Sequence, residues 1–126
     1  MKPFSCLIVD DILMNRMLLK EIIKEICPLI FEADNGKSAI ELLQTKTIDI
    51  VLMDIEMPVM NGVETTKYIR ENFSFPKNKI PIIALTAHNP ADFFSNYNNA
   101  GFDNLLTKPY SFEKILKAIK KFRSID

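Results

Sequence analysis

Four short apolar runs along the chain each stop at polar residues. The runs and the residues that follow them are 6–9 before Asp10 and Asp11, 50–53 before Asp54, 82–85 before Thr86, and 105–107 before Lys108. Short runs rich in Ile, Val and Leu are typical of strands that are buried on both faces of a parallel sheet. The carboxyl ends of such strands lie at one edge, where ligands bind beside the point at which strand order reverses. The pattern therefore predicts a pocket with three carboxylates, a hydroxyl group and an ammonium group.

Helical periodicity fills the segments between these runs, with Met14 and Leu18 in the apolar pattern of the first helix and Phe112 in that of the last. The predicted helices follow Asp11 and stop at Pro28, follow Asn35, follow Gly62, run from Pro90 to Gly101, and follow Ser111. A further short strand is predicted at residues 29–31, which gives five strand–helix units. Right-handed crossovers between such units place helices on both faces of the sheet. The chain is therefore predicted to be an α/β protein, a three-layer sandwich around a five-stranded parallel sheet.

Composition narrows the classes of protein that fit this pattern. The 126 residues suffice for one domain, and 16 basic and 16 acidic side chains leave no net charge. Nucleic-acid binding by bulk electrostatics is therefore not expected. The apolar runs are far shorter than the roughly 20 residues that span a bilayer, so no membrane partner is expected and the protein is predicted to be cytoplasmic. Cys6 and Cys27 are predicted to be small buried thiols, with a disulfide as the alternative.

The predicted pocket brings like charges together, and their repulsion has to be offset. Asp54 faces the Asp10-Asp11 pair, and carboxylates a few ångströms apart repel by about 4 kcal/mol at an effective dielectric constant near 20. Mg²⁺ suits this cluster because it binds carboxylate and phosphate oxygens together with water. The alternative is that Asp10 and Asp11 only cap the following helix, where anionic side chains favour the positive end of the dipole. That alternative leaves Asp54 and Lys108 unexplained.

Four stretches of the sequence resemble the receiver domains of bacterial two-component response regulators. They are Leu7-Ile8-Val9-Asp10-Asp11, MDIEMPVMNG at residues 53–62, Ala84-Leu85-Thr86-Ala87, and Leu106-Thr107-Lys108-Pro109. Their order and spacing fit the family over almost the whole chain. The resemblance implies one receiver domain over residues 1–126, with a flavodoxin-like, doubly wound sheet of strand order 2-1-3-4-5. Asn15 and Arg16, which follow the acidic pair, are similar to the receivers of hybrid sensor kinases.

The resemblance implies that Asp54 is the phosphoacceptor. Its carboxylate is expected to attack the phosphorus of a phosphohistidine or a small phosphodonor and to form an aspartyl phosphate. The implied cofactor is Mg²⁺, or Mn²⁺ in its place. The implied metal ligands are Asp11, Asp54 and the backbone carbonyl of Glu56, with Asp10 close by.

The resemblance also assigns the groups that contact the phosphoryl group and the partners that supply it. Lys108, the Thr86 hydroxyl and the backbone amide of Ala87 are expected to bind phosphoryl oxygens. The implied partners are a sensor histidine kinase, a histidine phosphotransfer domain or both, and a downstream target that the sequence does not name. The chain is expected to be a phosphoacceptor rather than a turnover enzyme.

The sequence alone also allows other interpretations of the same residues. Thr86 could only cap a turn, and Lys108 could be a solvated lysine at a strand end. A hydrolase of the haloacid dehalogenase type also uses an aspartyl nucleophile and Mg²⁺, although that family usually has a longer chain with a cap. A degenerate receiver that only binds partners is a third alternative, but no residue needed for phosphorylation is missing.

Three positions near the pocket vary in the family or depart from its usual pattern. Leu105 stands three residues before Lys108, where many receivers have Tyr or Phe. An aromatic switch is therefore predicted to be absent or altered. His88 and Glu56 occupy variable positions after Thr86 and Asp54. The Glu56 side chain is predicted to cover part of the phosphorylation site.

Overall fold

A five-stranded parallel sheet organises the computed structural model, which describes residues 3–87, 100–109 and 111–123. The strands are β1 (Ser5–Val9), β2 (Leu29–Ala33), β3 (Ile50–Asp54), β4 (Ile82–Thr86) and β5 (Asn104–Thr107). They lie in the order β2-β1-β3-β4-β5, as the family resemblance implies. The described helices are α1 (Leu13–Ile23), α2 (Gly36–Thr45), α3 (Gly62–Asn72), a 3₁₀ turn (Lys77–Lys79) and α4 (Phe112–Phe122). His88 and the helix predicted after Pro90 fall outside the described ranges.

The three central strands carry the apolar runs that fill the interior. Every residue of β1, β3 and β4 is buried, because helices cover both faces of the sheet. β5 lies at an edge and its residues are only partly buried. The prediction of burial on both faces is therefore right for three of the four runs and wrong for residues 105–107.

Alternate residues of the central strands point to opposite faces of the sheet and form two cores. Cys6 and Ile8 pack with the buried residues of α1 and α4. Leu7 and Val9 pack with those of α2 and α3. This alternation confirms the predicted three layers. Cys27 joins Cys6 in the first core, and both are buried free thiols, as expected.

Side chains cap three of the described helices. The bonds run from Ser38 N–H to Asn35 Oδ1 at 2.9 Å, from Glu64 N–H to Asn61 Oδ1 at 2.9 Å, and from Lys114 N–H to Ser111 Oγ at 3.4 Å. Glu64 also accepts from the backbone of Asn61, which completes a capping box on α3. These bonds satisfy amides at helix starts that have no partner within the helix.

Helix α1 follows Asp11 as predicted, but it differs from its prediction at its carboxyl-terminal end and on its surface. Its N-cap residue, Ile12, makes no side-chain capping bond, and the helix ends at Ile23, before the predicted stop at Pro28. Its buried residues are Leu19, Ile22 and Ile23. Five large apolar side chains are at least half exposed, and we call them the α1 apolar surface: Ile12, Leu13, Met14, Met17 and Leu18. Helical spacing at Met14 and Leu18 therefore does not mark a buried face.

The side chain of Arg70 joins α3 to the segments that lead into β4 and β5. Its Nη1 donates to the carbonyls of Asn78 and Ile80 at 3.0 and 2.8 Å. Its Nε and Nη2 both donate to the Gly101 carbonyl, at 3.0 and 2.8 Å, and Nη2 also contacts Asp103 Oδ2 at 2.9 Å. The guanidinium therefore satisfies three backbone carbonyls and a carboxylate near one edge of the sheet.

Candidate functional site

Three carboxylates converge at the carboxyl ends of β1 and β3. Asp10 and Asp11 follow β1, and Asp54 is the last residue of β3. One oxygen of each carboxylate lies within 4.8 Å of the other two. The cluster lies where β1 has β2 on one side and β3 on the other, so the connection that follows β1 runs to one side of it and the connection that follows β2 crosses to the other. The structure therefore brings the predicted acidic residues together at the switch point of the sheet.

The environment of Asp10 fits a bound cation. Its Oδ1 accepts from Ile12 N–H at 2.9 Å and from Asn15 Nδ2 at 3.4 Å. Its Oδ2 is buried and has no hydrogen-bond partner within the described part of the chain. Burial without a partner is costly for a carboxylate oxygen. A hard cation with oxygen ligands, such as Mg²⁺, would remove that cost, so the residues present fit the implied metal.

Asp54 is 1% exposed and its Oδ1 is held by two donors. Lys108 Nζ lies 3.2 Å away and the Glu56 backbone N–H lies 3.3 Å away. Burial and the charge of Asp10 raise the pKa of Asp54 to about 6, although Lys108 and the Glu56 amide oppose the rise. The carboxylate is therefore mostly ionised at neutral pH, which is the state that the implied phosphoacceptor role requires.

Lys108 directly follows the edge strand β5, and its side chain reaches the Asp54 carboxylate. The Lys108 N–H donates to the Thr86 carbonyl at 2.8 Å, which ties the end of β5 to the end of β4. Thr86 is fully buried at that end, and the peptide between Lys108 and Pro109 is cis. Lys108 is therefore an ion-pair partner of Asp54 and not merely a solvated residue at a strand end.

The backbone amide of Ala87 has a partner that the sequence did not indicate. It donates to Glu56 Oε1 at 3.4 Å. The Glu56 carboxylate thus occupies the donor that the resemblance assigns to a phosphoryl oxygen. A phosphoryl group would have to displace the Glu56 side chain before it could bind this amide. The Glu56 side chain thus covers one donor of the predicted phosphorylation site.

Leu105 lies in β5, in register with Ala84 of β4, and has an aliphatic side chain. It is partly buried and packs against a small cluster that contains Ile55, Val63, Ala84 and Ala100. It has neither a ring nor a hydroxyl group that could respond to Thr86 as a tyrosine would. The structure is therefore compatible with the predicted loss of an aromatic switch.

The contacts that hold the backbone of the acidic pair were not predicted from the sequence. Arg16 Nη1 donates to the Asp10 carbonyl at 2.8 Å, and Arg16 Nε donates to Glu32 Oε1 at 2.9 Å. The family resemblance indicated Arg16, but it gave no indication of Glu32. The one available signal was the position of Glu32 as the only charged residue in β2, whose sequence is LIFEA.

Replacing Asp54 with asparagine is expected to stabilise the metal-free protein at neutral pH, with no gain in acid. Because the pKa of Asp54 is raised from 3.8 to about 6, the folded state binds the proton more tightly than the unfolded state. The wild type therefore loses about 2 to 3 kcal/mol of stability as the pH rises between those two pKa values, whereas asparagine does not titrate. Added Mg²⁺ should shrink the difference, because the wild type binds the metal better.

Urea unfolding in chelator at several pH values measures this difference. Asp34→Asn is the control, because Asp34 is an exposed carboxylate outside the cluster. Stability curves that run parallel for the wild type and Asp54→Asn across this pH range would contradict the prediction.

Comparison with known families agrees with this fold. The family model of the response regulator receiver domain matches residues 6–120. The chain therefore belongs to the family of response regulator receiver domains, which are phosphoacceptor signalling domains of two-component systems rather than turnover enzymes. This match leaves the haloacid dehalogenase alternative without support.

Curated relatives include proteins much longer than this chain. The sensor histidine kinase GacS of Pseudomonas protegens is 33% identical over 123 residues, which cover 94% of this chain and 13% of that protein. The aerobic respiration control sensor protein ArcB of Escherichia coli is 32% identical over 119 residues, 94% of this chain and 15% of that protein. The chain thus spans about one seventh of the length of these relatives.

Solved structures share the fold over nearly the whole chain. The chemotaxis protein CheY4 of Vibrio cholerae has a TM-score of 0.86 at 25% identity, covering 97% of this chain and all of that one. The receiver domain of the sensor histidine kinase PA1611 of Pseudomonas aeruginosa has a TM-score of 0.84 at 24% identity, covering 96% and 98%. That structure contains a magnesium ion in its active site cleft. Among the described residues of the present chain, no helix is long and apolar enough to cross a membrane.

Proposed function

We propose that Asp54 accepts a phosphoryl group from a phosphohistidine and that this modification is the signal carried by the domain. The observation that supports the proposal most is the buried Asp54 carboxylate, 3.2 Å from Lys108 and grouped with two further carboxylates. A carboxylate oxygen of Asp54 attacks phosphorus, the bond from phosphorus to the imidazole nitrogen breaks, and the imidazole leaves. Catalysis then depends on positioning and electrostatics more than on covalent chemistry.

The remaining residues of the pocket have separate roles in this proposal. Lys108 holds Asp54 in place and offers positive charge to the phosphoryl oxygens. The Thr86 hydroxyl and the Ala87 amide bind further phosphoryl oxygens, the amide only after Glu56 releases it. These groups stabilise charge where it develops during transfer, which is the main electrostatic contribution to such reactions.

A divalent cation completes the proposed site. Asp11, Asp54 and the backbone carbonyl of Glu56 hold it, and the unpartnered Oδ2 of Asp10 lies close by. Mg²⁺ supplies charge neutralisation between these carboxylates and the phosphoryl oxygens when bound, and Mn²⁺ is the proposed substitute. The magnesium ion in the related PA1611 receiver supports this assignment.

The proposed phosphodonor is a histidine kinase or a histidine phosphotransfer domain that docks on the α1 apolar surface. The amino-terminal end of α1 lies beside Asp10 and Asp11, so a protein seated there brings its phosphohistidine near Asp54. Exposed apolar side chains such as Leu13 and Met14 suit a protein partner because such patches are rarely left uncovered. We further propose that residues 1–126 form one receiver domain and that the protein is cytoplasmic, in keeping with its composition.

Incubation with acetyl phosphate, followed by intact-protein mass spectrometry, tests the assignment of the acceptor. The wild type should gain the mass of one phosphoryl group in Mg²⁺ and remain unlabelled in chelator. Asp54→Asn should remain unlabelled in both, whereas the exposed control Asp34→Asn should behave like the wild type. Labelling that persists in Asp54→Asn, or that ignores the chelator, would overturn the proposal.

A further inference from the structure

Arg16 connects the acidic cluster to β2 through two side-chain contacts. Its Nη1 lies 2.8 Å from the Asp10 carbonyl oxygen, and its Nε lies 2.9 Å from Glu32 Oε1. The Arg16 side chain is only 15% exposed. Neither contact uses a carboxylate of the proposed cation site. Arg16 therefore acts on that site through the backbone.

We propose that Arg16, anchored by Glu32, is a positioning residue for the divalent-cation site, an inference that rests on the proposed function of the acidic cluster. The peptide unit that links Asp10 to Asp11 is planar, so a fixed Asp10 carbonyl also fixes the direction in which Asp11 leaves β1. Asp11 is exposed, and no hydrogen bond to its carboxylate is found among the described residues. Its orientation therefore depends on its backbone, and Arg16 holds that backbone.

The anchor of Arg16 belongs to the sheet and not to a loop. Glu32 lies within β2, where it pairs in register with Ile8 of β1. Its second oxygen, Oε2, contacts Lys20 Nζ at 3.0 Å. Partial burial opposes ionisation of Glu32, but hydrogen bonds from Lys20 and Arg16 hold its pKa below the ordinary value. Glu32 is thus a charged, immobilised acceptor that fixes the guanidinium plane.

A positioning role and a simple charge effect predict opposite results when Arg16 is removed. By charge alone, loss of a cation near three carboxylates should strengthen Mg²⁺ binding, because one repulsion disappears. If Arg16 positions the site, its loss should weaken Mg²⁺ binding, since groups behind metal ligands typically contribute 10- to 100-fold in metal affinity. The sign of the change therefore separates the two explanations.

Titration of the metal-free protein with Mg²⁺, followed by amide NMR well below the melting temperature, measures the dissociation constant of the folded state. Arg16→Met should raise the constant about tenfold. Lys20→Met is the matched control, because it removes the other ion pair of Glu32 without touching Asp10, and it should stay close to wild type. Arg16→Lys keeps the charge but lacks the fork that reaches two acceptors, so it should also bind Mg²⁺ several-fold more weakly.

The outcomes distinguish this inference from the proposal on which it rests. Wild-type affinity or tighter binding in both Arg16 variants, or equal losses in Arg16→Met and Lys20→Met, would overturn the positioning role alone. Absence of Mg²⁺ binding in the wild type would overturn the cation site and this inference together. Should Arg16→Met fail to fold, Arg16→Lys carries the test, because any loss it shows occurs at constant charge.

Discussion

Lys108→Met is expected to slow phosphorylation of Asp54 by acetyl phosphate about 100-fold, the usual effect of removing one preorganised electrostatic group. Lys108 Nζ lies 3.2 Å from Asp54 Oδ1, and no other cationic side chain of the described residues forms a salt bridge with Asp54. Its loss removes positive charge that would face the phosphoryl oxygens. It also removes an interaction that opposes the raised pKa of Asp54, so a smaller fraction of the carboxylate is ionised at neutral pH.

The time course of labelling by intact-protein mass spectrometry, at fixed Mg²⁺ and acetyl phosphate, measures this rate. Lys114→Met is the control, since Lys114 is an exposed lysine on α4. Raising the pH should recover only the part of the loss that comes from protonation of Asp54. A rate within about threefold of wild type would show that Lys108 is not part of the electrostatic machinery, given the effect expected for such groups.

Arg70→Met is expected to lower the free energy of unfolding by about 3 kcal/mol, within the range for breaking a buried hydrogen-bond network. The Arg70 side chain is 18% exposed, and its guanidinium bonds to three backbone carbonyls and Asp103. A methionine fills similar space but leaves those carbonyls without this donor. Asp103 keeps one partner, because its Oδ2 also accepts from the Ile82 N–H at 2.8 Å.

Chemical denaturation of the metal-free protein measures the loss, with Lys67→Met as an exposed control on the same helix. Arg70→Lys should recover little stability, because a single ammonium group cannot reach acceptors that lie around a planar fork. A loss below about 1 kcal/mol in Arg70→Met would mean that water replaces the lost bonds at little cost.

The central strands and the acidic cluster were predictable because their signals are local, whereas the strand order followed only from the family resemblance. Each apolar run and the polar residue that ends it are adjacent in sequence, and parallel topology then brings Asp10, Asp11 and Asp54 to one edge. The prediction of burial is right for the central strands β1, β3 and β4, in which every residue is buried. The burial of the edge strand β5 was overestimated, because an apolar run does not show whether a neighbouring strand lies on each side of it.

The contacts that sequence reasoning missed all depend on tertiary packing. Helical spacing placed Met14 and Leu18 on an apolar face, and likewise Phe112 on α4, yet all three are more than half exposed. Periodicity identifies a helix without showing which apolar residues the rest of the chain covers. The contact between Glu56 and Ala87 joins residues 31 positions apart and depends on one side-chain rotamer. No spacing rule predicts such a choice.

The methionines of this chain differ in their access to oxidants. Met14 and Met17 lie exposed on the α1 apolar surface, whereas Met53 and Met57 are buried in the core. Conversion to the sulfoxide makes a flexible apolar side chain polar, and exposed thioethers react first. Mild peroxide treatment could therefore make the proposed docking surface hydrophilic while the core methionines stay intact. Chemistry at Asp54 and recognition of its protein donor could then be separated in a single preparation, without any substitution.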